Sequence, residues 1–246
     1  MLVQEYSRCN TTYVTDKSEA IRGLASEIQS DKPFRFINGL WEAVLEDELL
    51  WAVTVPKPDK LNIGVATWSW LKIDGQVSKR LHDYDNGWYP DASAGFSEAV
   101  YKTVGHPDLQ IEGLPTPQEI DVQGYLFRIS WSYDMWSADA PLPQPIVIRS
   151  GEGSLKETVE SVWEAKWIPD TSPDEKWDTW ALQVVVYEEG NQRGQSAGLV
   201  IVPVNRQANR WKRVGFYEAH WSYDEAVEDE TQDYIIGHEK VDIVLI

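Results

Sequence analysis

His220, Asp224 and Asp134 are the side chains whose types and spacing best suit proton transfer. Imidazole titrates near neutrality, and a neighbouring carboxylate orients the ring and stabilises its cation. All three belong to a near-repeat. Ser130-Trp131-Ser132-Tyr133-Asp134 is echoed by His220-Trp221-Ser222-Tyr223-Asp224, each time after an apolar stretch with strand character. In extended backbone Trp131 and Tyr133 share one face and Ser132 and Asp134 the other, and His220, Ser222 and Asp224 line up in the same way. His220 and Asp224 then stand roughly 13 Å apart along the strand, too far for a hydrogen bond. Either a turn breaks the strand there or Asp134 supplies the carboxylate. The expectation is that the two segments lie together and line one concave pocket. Asp134, His220 and Asp224 would act as acid and base, and Trp131, Tyr133, Trp221 and Tyr223 would hold a substrate. The plainer alternative is two strand ends with aromatic core residues and polar edges.

Trp68 and Trp70 flank Ser69. In a strand the two indoles fall on one face and make an aromatic wall. That wall either packs on the N-terminal helices or forms one side of the pocket.

Other chemical motifs fail on context. Gly194-Gln195-Ser196-Ala197-Gly198 matches the nucleophile-elbow pattern, which needs a strand before it and a helix after it. Here a polar turn precedes it and an apolar strand follows, so Ser196 is expected not to be a nucleophile. Gly151-Glu152-Gly153 has no third glycine at dinucleotide-loop spacing. Counted from Asp83, Gly87 is fifth rather than sixth, which breaks a calcium-loop register. His82, His106, His220 and His238 are scattered, so no metal and no cofactor are expected.

The elements that must position these residues follow from periodicity. Asp16-Lys17-Ser18-Glu19 looks like a capping box before Ala20, Ile21, Leu24, Ala25 and Ile28 at helical spacing. Asn38 is read as the cap of a second helix carrying Leu40, Trp41, Val44, Leu45 and Leu49. Residues 65–70, 122–131, 145–149, 180–187, 199–204, 211–221 and 240–246 read as strands, and 91–104 as a later helix. The stretch 158–167 fits either period, with the strand preferred. The result is an α+β fold. A helical segment (1–58) packs on a mainly antiparallel sheet or barrel-like β region (59–246), and the two form one cooperative unit.

Composition narrows the partners. The chain has 246 residues, 42% of them hydrophobic, enough for a full core. Its net charge of −18 opposes phosphate backbones and anionic lipid, so neither nucleic acid nor membrane is an expected partner. Cys9 is the lone cysteine and allows no internal disulfide. No basic-then-apolar leader opens the sequence, so a cytoplasmic setting is expected. Thirteen tryptophans must go largely into core packing.

Several segments resemble, in order, the C-terminal region of fungal heterokaryon-incompatibility (HET) domain proteins. They are Glu5-Tyr6-Ser7, Thr15-Asp16-Lys17, Ala20 to Ala25, Asn38-Gly39-Leu40-Trp41, Glu48-Leu49-Leu50-Trp51, Ala66-Thr67-Trp68-Ser69-Trp70 with Ile73-Asp74-Gly75, Gly198-Leu199-Val200 and Arg213-Val214-Gly215-Phe216. Thr67 stands where the family usually has proline. The resemblance covers nearly the whole chain and lacks the family's N-terminal signalling domain, so cell-death signalling is not implied. It implies a fungal scaffold of the kind found beside specialised-metabolite genes. The function expected on these grounds is a cofactor-independent acid/base enzyme, of isomerase, epimerase, cyclase or dehydratase type, acting on a small organic molecule. The alternative is a non-catalytic binding or regulatory module.

Overall fold

The computed structural model describes residues 2–9, 14–31, 35–54, 61, 64–79, 106–107, 110–116, 118–131, 144–149, 164–189, 193–222 and 240–246. The helix expected over 91–104, the acidic loop 82–87 and the glycines at 151 and 153 lie outside these residues.

Two helices open the chain, α1 (Leu2–Ser7) and α2 (Val14–Asp31). The buried line on α2 is Lys17, Ile21 and Ala25, at i, i+4 and i+8. Leu24 and Ile28, expected on the same stripe, are about two-fifths exposed at 40% and 39%. Lys17 is buried because its Nζ donates to the Ile73 carbonyl at 2.6 Å and sits 5.1 Å from the centre of the Trp70 ring. A buried cation is tolerable when it is hydrogen-bonded and faces an aromatic ring.

The helix expected from Asn38 is instead a hairpin. β1 (Phe36–Ile37) and β2 (Leu40–Trp41) pair antiparallel around Asn38 and Gly39, with φ of 47° and 88°. Two positive φ values in a two-residue loop match the twist of the flanking strands, and Asn-Gly is the sequence that adopts them most easily. The helical period seen in Val44, Leu45 and Leu49 survives only as a 3₁₀ turn and one α turn, α3 (Leu45–Glu48). β3 (Trp51–Val53) then pairs with β4 (Val77–Lys79), joining the two segments on either side of residue 58.

The remaining strands are β5 (His106–Pro107), β6 (Gln110–Thr116), β7 (Glu119–Gly124), β8 (Leu126–Ser130), β9 (Gln144–Arg149), β10 (Glu164–Pro169), β11 (Trp180–Glu189), β12 (Arg193–Asn205), β13 (Arg210–Ser222) and β14 (Val241–Leu245). Six of them close on themselves. β8 pairs with β9, β9 with β10, β10 with β13, β13 with β12, β12 with β11 and β11 with β8, all antiparallel. From the start of β13 a branch runs through β14, in parallel, to β7 and β6. The mainly antiparallel, barrel-like β region is therefore present, with short helices at its N-terminal side.

Two apolar clusters follow from the ring. One draws Phe127, Ile129, Ile146, Ala165, Trp167, Ala181, Val200, Val202, Val214, Tyr217 and Ala219 from all six ring strands, which makes it the ring's interior. The other joins the outer faces of the same strands (Leu182, Leu199, Ile201, Phe216) to β7, β14 and the N-terminal layer (Ile21, Leu45, Trp51, Trp68, Trp70). Bulges between Gln183 and Val185, and opposite Arg213 and Gly215, switch the alternation between faces. Trp167 lies flat on β13: a Cβ on Gly215 would fall 2.2 Å from its indole nitrogen.

Candidate functional site

Residues 65–70 form no strand. They make a turn that runs into a 3₁₀ turn, Trp70–Lys72, capped by Ser69, whose Oγ accepts from the Leu71 amide at 3.1 Å. Trp68 and Trp70 are both fully buried. Trp70 Nε1 donates to the Gly39 carbonyl at 2.7 Å, and Ser69 Oγ donates to the Asn38 carbonyl at 2.5 Å. Trp68 Nε1 donates to the Gln118 carbonyl at 3.3 Å, and Trp51 Nε1 donates to the Trp68 carbonyl at 3.0 Å. The Trp-Ser-Trp run thus grips the tip of the β1–β2 hairpin and ties it to the start of β7. Here the indoles serve as core residues with satisfied N–H groups.

The near-repeat divides. Trp131 is half-buried after β8 and packs edge-on against Trp167, ring centres 5.2 Å apart. His220 and Trp221 lie in β13, where the register puts Glu164 of β10 opposite His220. Tyr133, Asp134, Tyr223 and Asp224 are outside the described residues. Three antiparallel steps separate β8 from β13 whichever way the ring is followed, so the two strands run in opposite directions. Both motifs end their strands. Across β9 and β10 the register sets Ser130 opposite Val147, Ile146 opposite Ala165 and Glu164 opposite His220, so Ser130 and His220 fall on one row of the ladder, three strands apart.

Ser196 sits within β12, opposite Val186 and Ala219, rather than on a strand-to-helix elbow. It is buried, its Oγ 3.1 Å from Gln183 Oε1 and 3.1 Å from the Tyr217 hydroxyl. Neither of these two partners, an amide and a phenol, is a base of suitable pKa to take its proton.

A buried ion pair fixes the N-terminal layer to the ring. Arg213 and Asp170 have no exposed side-chain surface, and Arg213 Nε lies 3.2 Å from Asp170 Oδ2. The same guanidinium donates to the Leu49 carbonyl at 2.6 Å and to that of Trp51, and it lies 3.3 Å from the centre of the Trp51 ring. Burial pushes the Arg213 pKa down, and the Asp170 carboxylate opposes that shift.

The cleft that opens beside these contacts is the candidate site. It measures about 720 Å³ and lies between α2, the β1–β2 hairpin, the 65–71 segment and β6. Ligand pockets generally fall at roughly 300–1,000 Å³, with apolar walls and a few placed polar groups. Ile21, Ala25, Ile37 and Leu71 form its floor, nearly or fully buried. Ser18, Ser26, Gln29, Asn38 and Thr116 add uncharged polar groups, and Arg22 and Arg35 are the charged lining residues among those described. Their outer ends meet carboxylates: Arg22 Nη1 is 3.3 Å from Glu19 Oε1, and Arg35 Nη1 is 3.1 Å from Glu42 Oε1. Asn38 and Gly39 were the signal for the hairpin wall. The arginines carried no signal, because only the hairpin brings Arg35 to the helix bearing Arg22.

Among the described residues no three His, Cys, Asp or Glu side chains gather as a metal site, and no helix is long and apolar enough to cross a membrane. No family model, curated protein or solved structure matches the sequence.

Proposed function

We propose that the chain is a binding module and that the cleft along α2 takes a small organic molecule. One observation carries this reading. The cleft has the volume and apolar floor of a ligand pocket, yet among the described residues its lining holds no carboxylate, imidazole, amine, thiol or phenol. The ionisable groups among those residues are guanidiniums, which stay protonated and cannot exchange protons near neutrality. Such a lining supports recognition rather than acid–base turnover. The test is a thermal-shift screen of small organic compounds against the protein and its Ser26→Trp variant. Ser26 is an exposed helical residue on the cleft wall, so an indole there blocks the cleft at little cost to folding. Hits that disappear in the variant, with its own melting temperature unchanged, support the reading. Hits indifferent to the variant contradict it.

The competing proposal is the cofactor-independent acid/base enzyme of fungal specialised metabolism, in a cytosolic setting, to which the HET resemblance leads. The near-repeat around His220, whose backbone lies in β13 opposite Glu164, is the feature behind it. His220→Ala should then lower turnover by roughly 10²–10⁴, the usual worth of one general acid or base. A binding module has no turnover for that variant to change.

A further inference from the structure

Resting on the cleft as a binding site, we propose that its ligand is an amphipathic organic carboxylate, the carboxylate held between Arg22 and Arg35 and the apolar body laid on Ile21, Ala25, Ile37 and Leu71. The chain carries 40 acidic and 22 basic residues. A lining whose described residues include two arginines and no acid is therefore the reverse of the chain's general bias. The two arginines come from different elements, one on α2 and one at the entry to β1, so they line the same cleft only in the folded chain. Each uses Nη1 for its glutamate. A guanidinium has five N–H donors in a planar fork, so donors remain for a ligand.

The glutamate pairs do not block this. Side-chain exposure is 68% and 67% for Arg22 and Glu19, and 68% and 34% for Arg35 and Glu42. Exposed pairs of this kind contribute little and are screened by salt. A ligand carboxylate meeting both guanidiniums beside an apolar floor exchanges weak water-facing contacts for partly desolvated ones, which are stronger. Carboxylate geometry matches the guanidinium fork edge to edge. The floor then requires a hydrocarbon or aryl body, since burial of apolar surface supplies the non-directional part of affinity.

Isothermal titration with three chain-matched probes tests this: decanoate, decanamide and decyltrimethylammonium. The proteins are the full chain, its Arg22→Gln/Arg35→Gln double variant and its Ser26→Trp variant. Decanoate should bind the full chain about tenfold or more tightly than decanamide, the usual worth of charge-assisted hydrogen bonds. The ammonium should bind weakest. The double variant should lose the preference for decanoate while keeping its affinity for decanamide, and Ser26→Trp should abolish both. Equal binding of all three probes, or a preference unchanged in the double variant, would overturn the carboxylate proposal and leave the cleft as a binding site. Absence of binding by all three, or binding indifferent to Ser26→Trp, would overturn the cleft reading with it.

Discussion

Arg213 shows most directly how single residues hold this molecule together. Its guanidinium touches Asp170, two backbone carbonyls and the Trp51 ring, all away from water. A buried pair of this kind adds little compared with an apolar replacement, but removing one partner strands the other charge. Asp170→Asn should therefore cost about 3–5 kcal/mol in urea denaturation. A loss below about 1 kcal/mol, the worth of an exposed pair, would show that other groups neutralise Arg213. Ser196 gives a second outcome at this scale. Held between Gln183 and Tyr217, neither of them a suitable base, it should resist fluorophosphonate labelling over times that saturate a serine hydrolase. Stoichiometric labelling would contradict that. The inverted context of its glycine motif was readable in the sequence, because a strand-forming run follows it. The Arg213–Asp170 pair was not, since 43 residues separate its members and no periodicity links them.

Among the elements, the long strands were legible and the short connections were not. Stretches such as 180–187 and 211–221 carry enough β-branched and aromatic residues to declare themselves, and both lie within observed strands. Asn38-Gly39 was misread because Leu40, Trp41, Val44, Leu45 and Leu49 also fit a helical period. The turn's left-handed backbone decides the matter, and Trp70 and Ser69 reach over from distant sequence to hold its carbonyls. The Trp-Ser-Trp run was misread as a strand for a related reason: Ser69 spends its hydroxyl on a 3₁₀ cap and a hairpin tip, neither of which leaves a local pattern. Two glycines give a test with opposite signs. At Gly39, φ is +88° and a Cβ would stand 2.8 Å from Trp70 Nε1, so Gly39→Ala should destabilise by about 1–3 kcal/mol. At Gly23, exposed within α2 with no atom near a Cβ, Gly23→Ala should stabilise by about 0.5–1 kcal/mol. Chemical denaturation reads both, and equal effects would refute the hairpin geometry.

The molecule as a whole is a six-stranded ring with one apolar cluster inside it and a second against its outer face. The longer ring strands were foreseeable, and a barrel-like region was one of two expectations; which strands close the ring was not, because β10 meets β13 across about 50 residues of chain that no local signal spans. Closure also sets β13 antiparallel to β8, three strands away by either path. The outer cluster and Arg213 join the N-terminal layer to the ring, so both should unfold in one step. Circular dichroism, which follows the strands, and tryptophan fluorescence should give coincident urea transitions. Separated midpoints would show that the N-terminal layer melts alone. The cleft exists only where that layer meets β6, and function on this account belongs to the junction rather than to either part. The most direct measurement is therefore an amide chemical-shift titration of isotope-labelled protein with decanoate. The account predicts shifts concentrated at Ser18 to Gln29, Arg35 to Gly39, Leu71, Leu114 and Thr116, and absent from the Ser26→Trp variant. Shifts centred instead on Ser130-Trp131 or His220 to Ser222, with the α2 amides unmoved, would contradict it and place the ligand at the near-repeat.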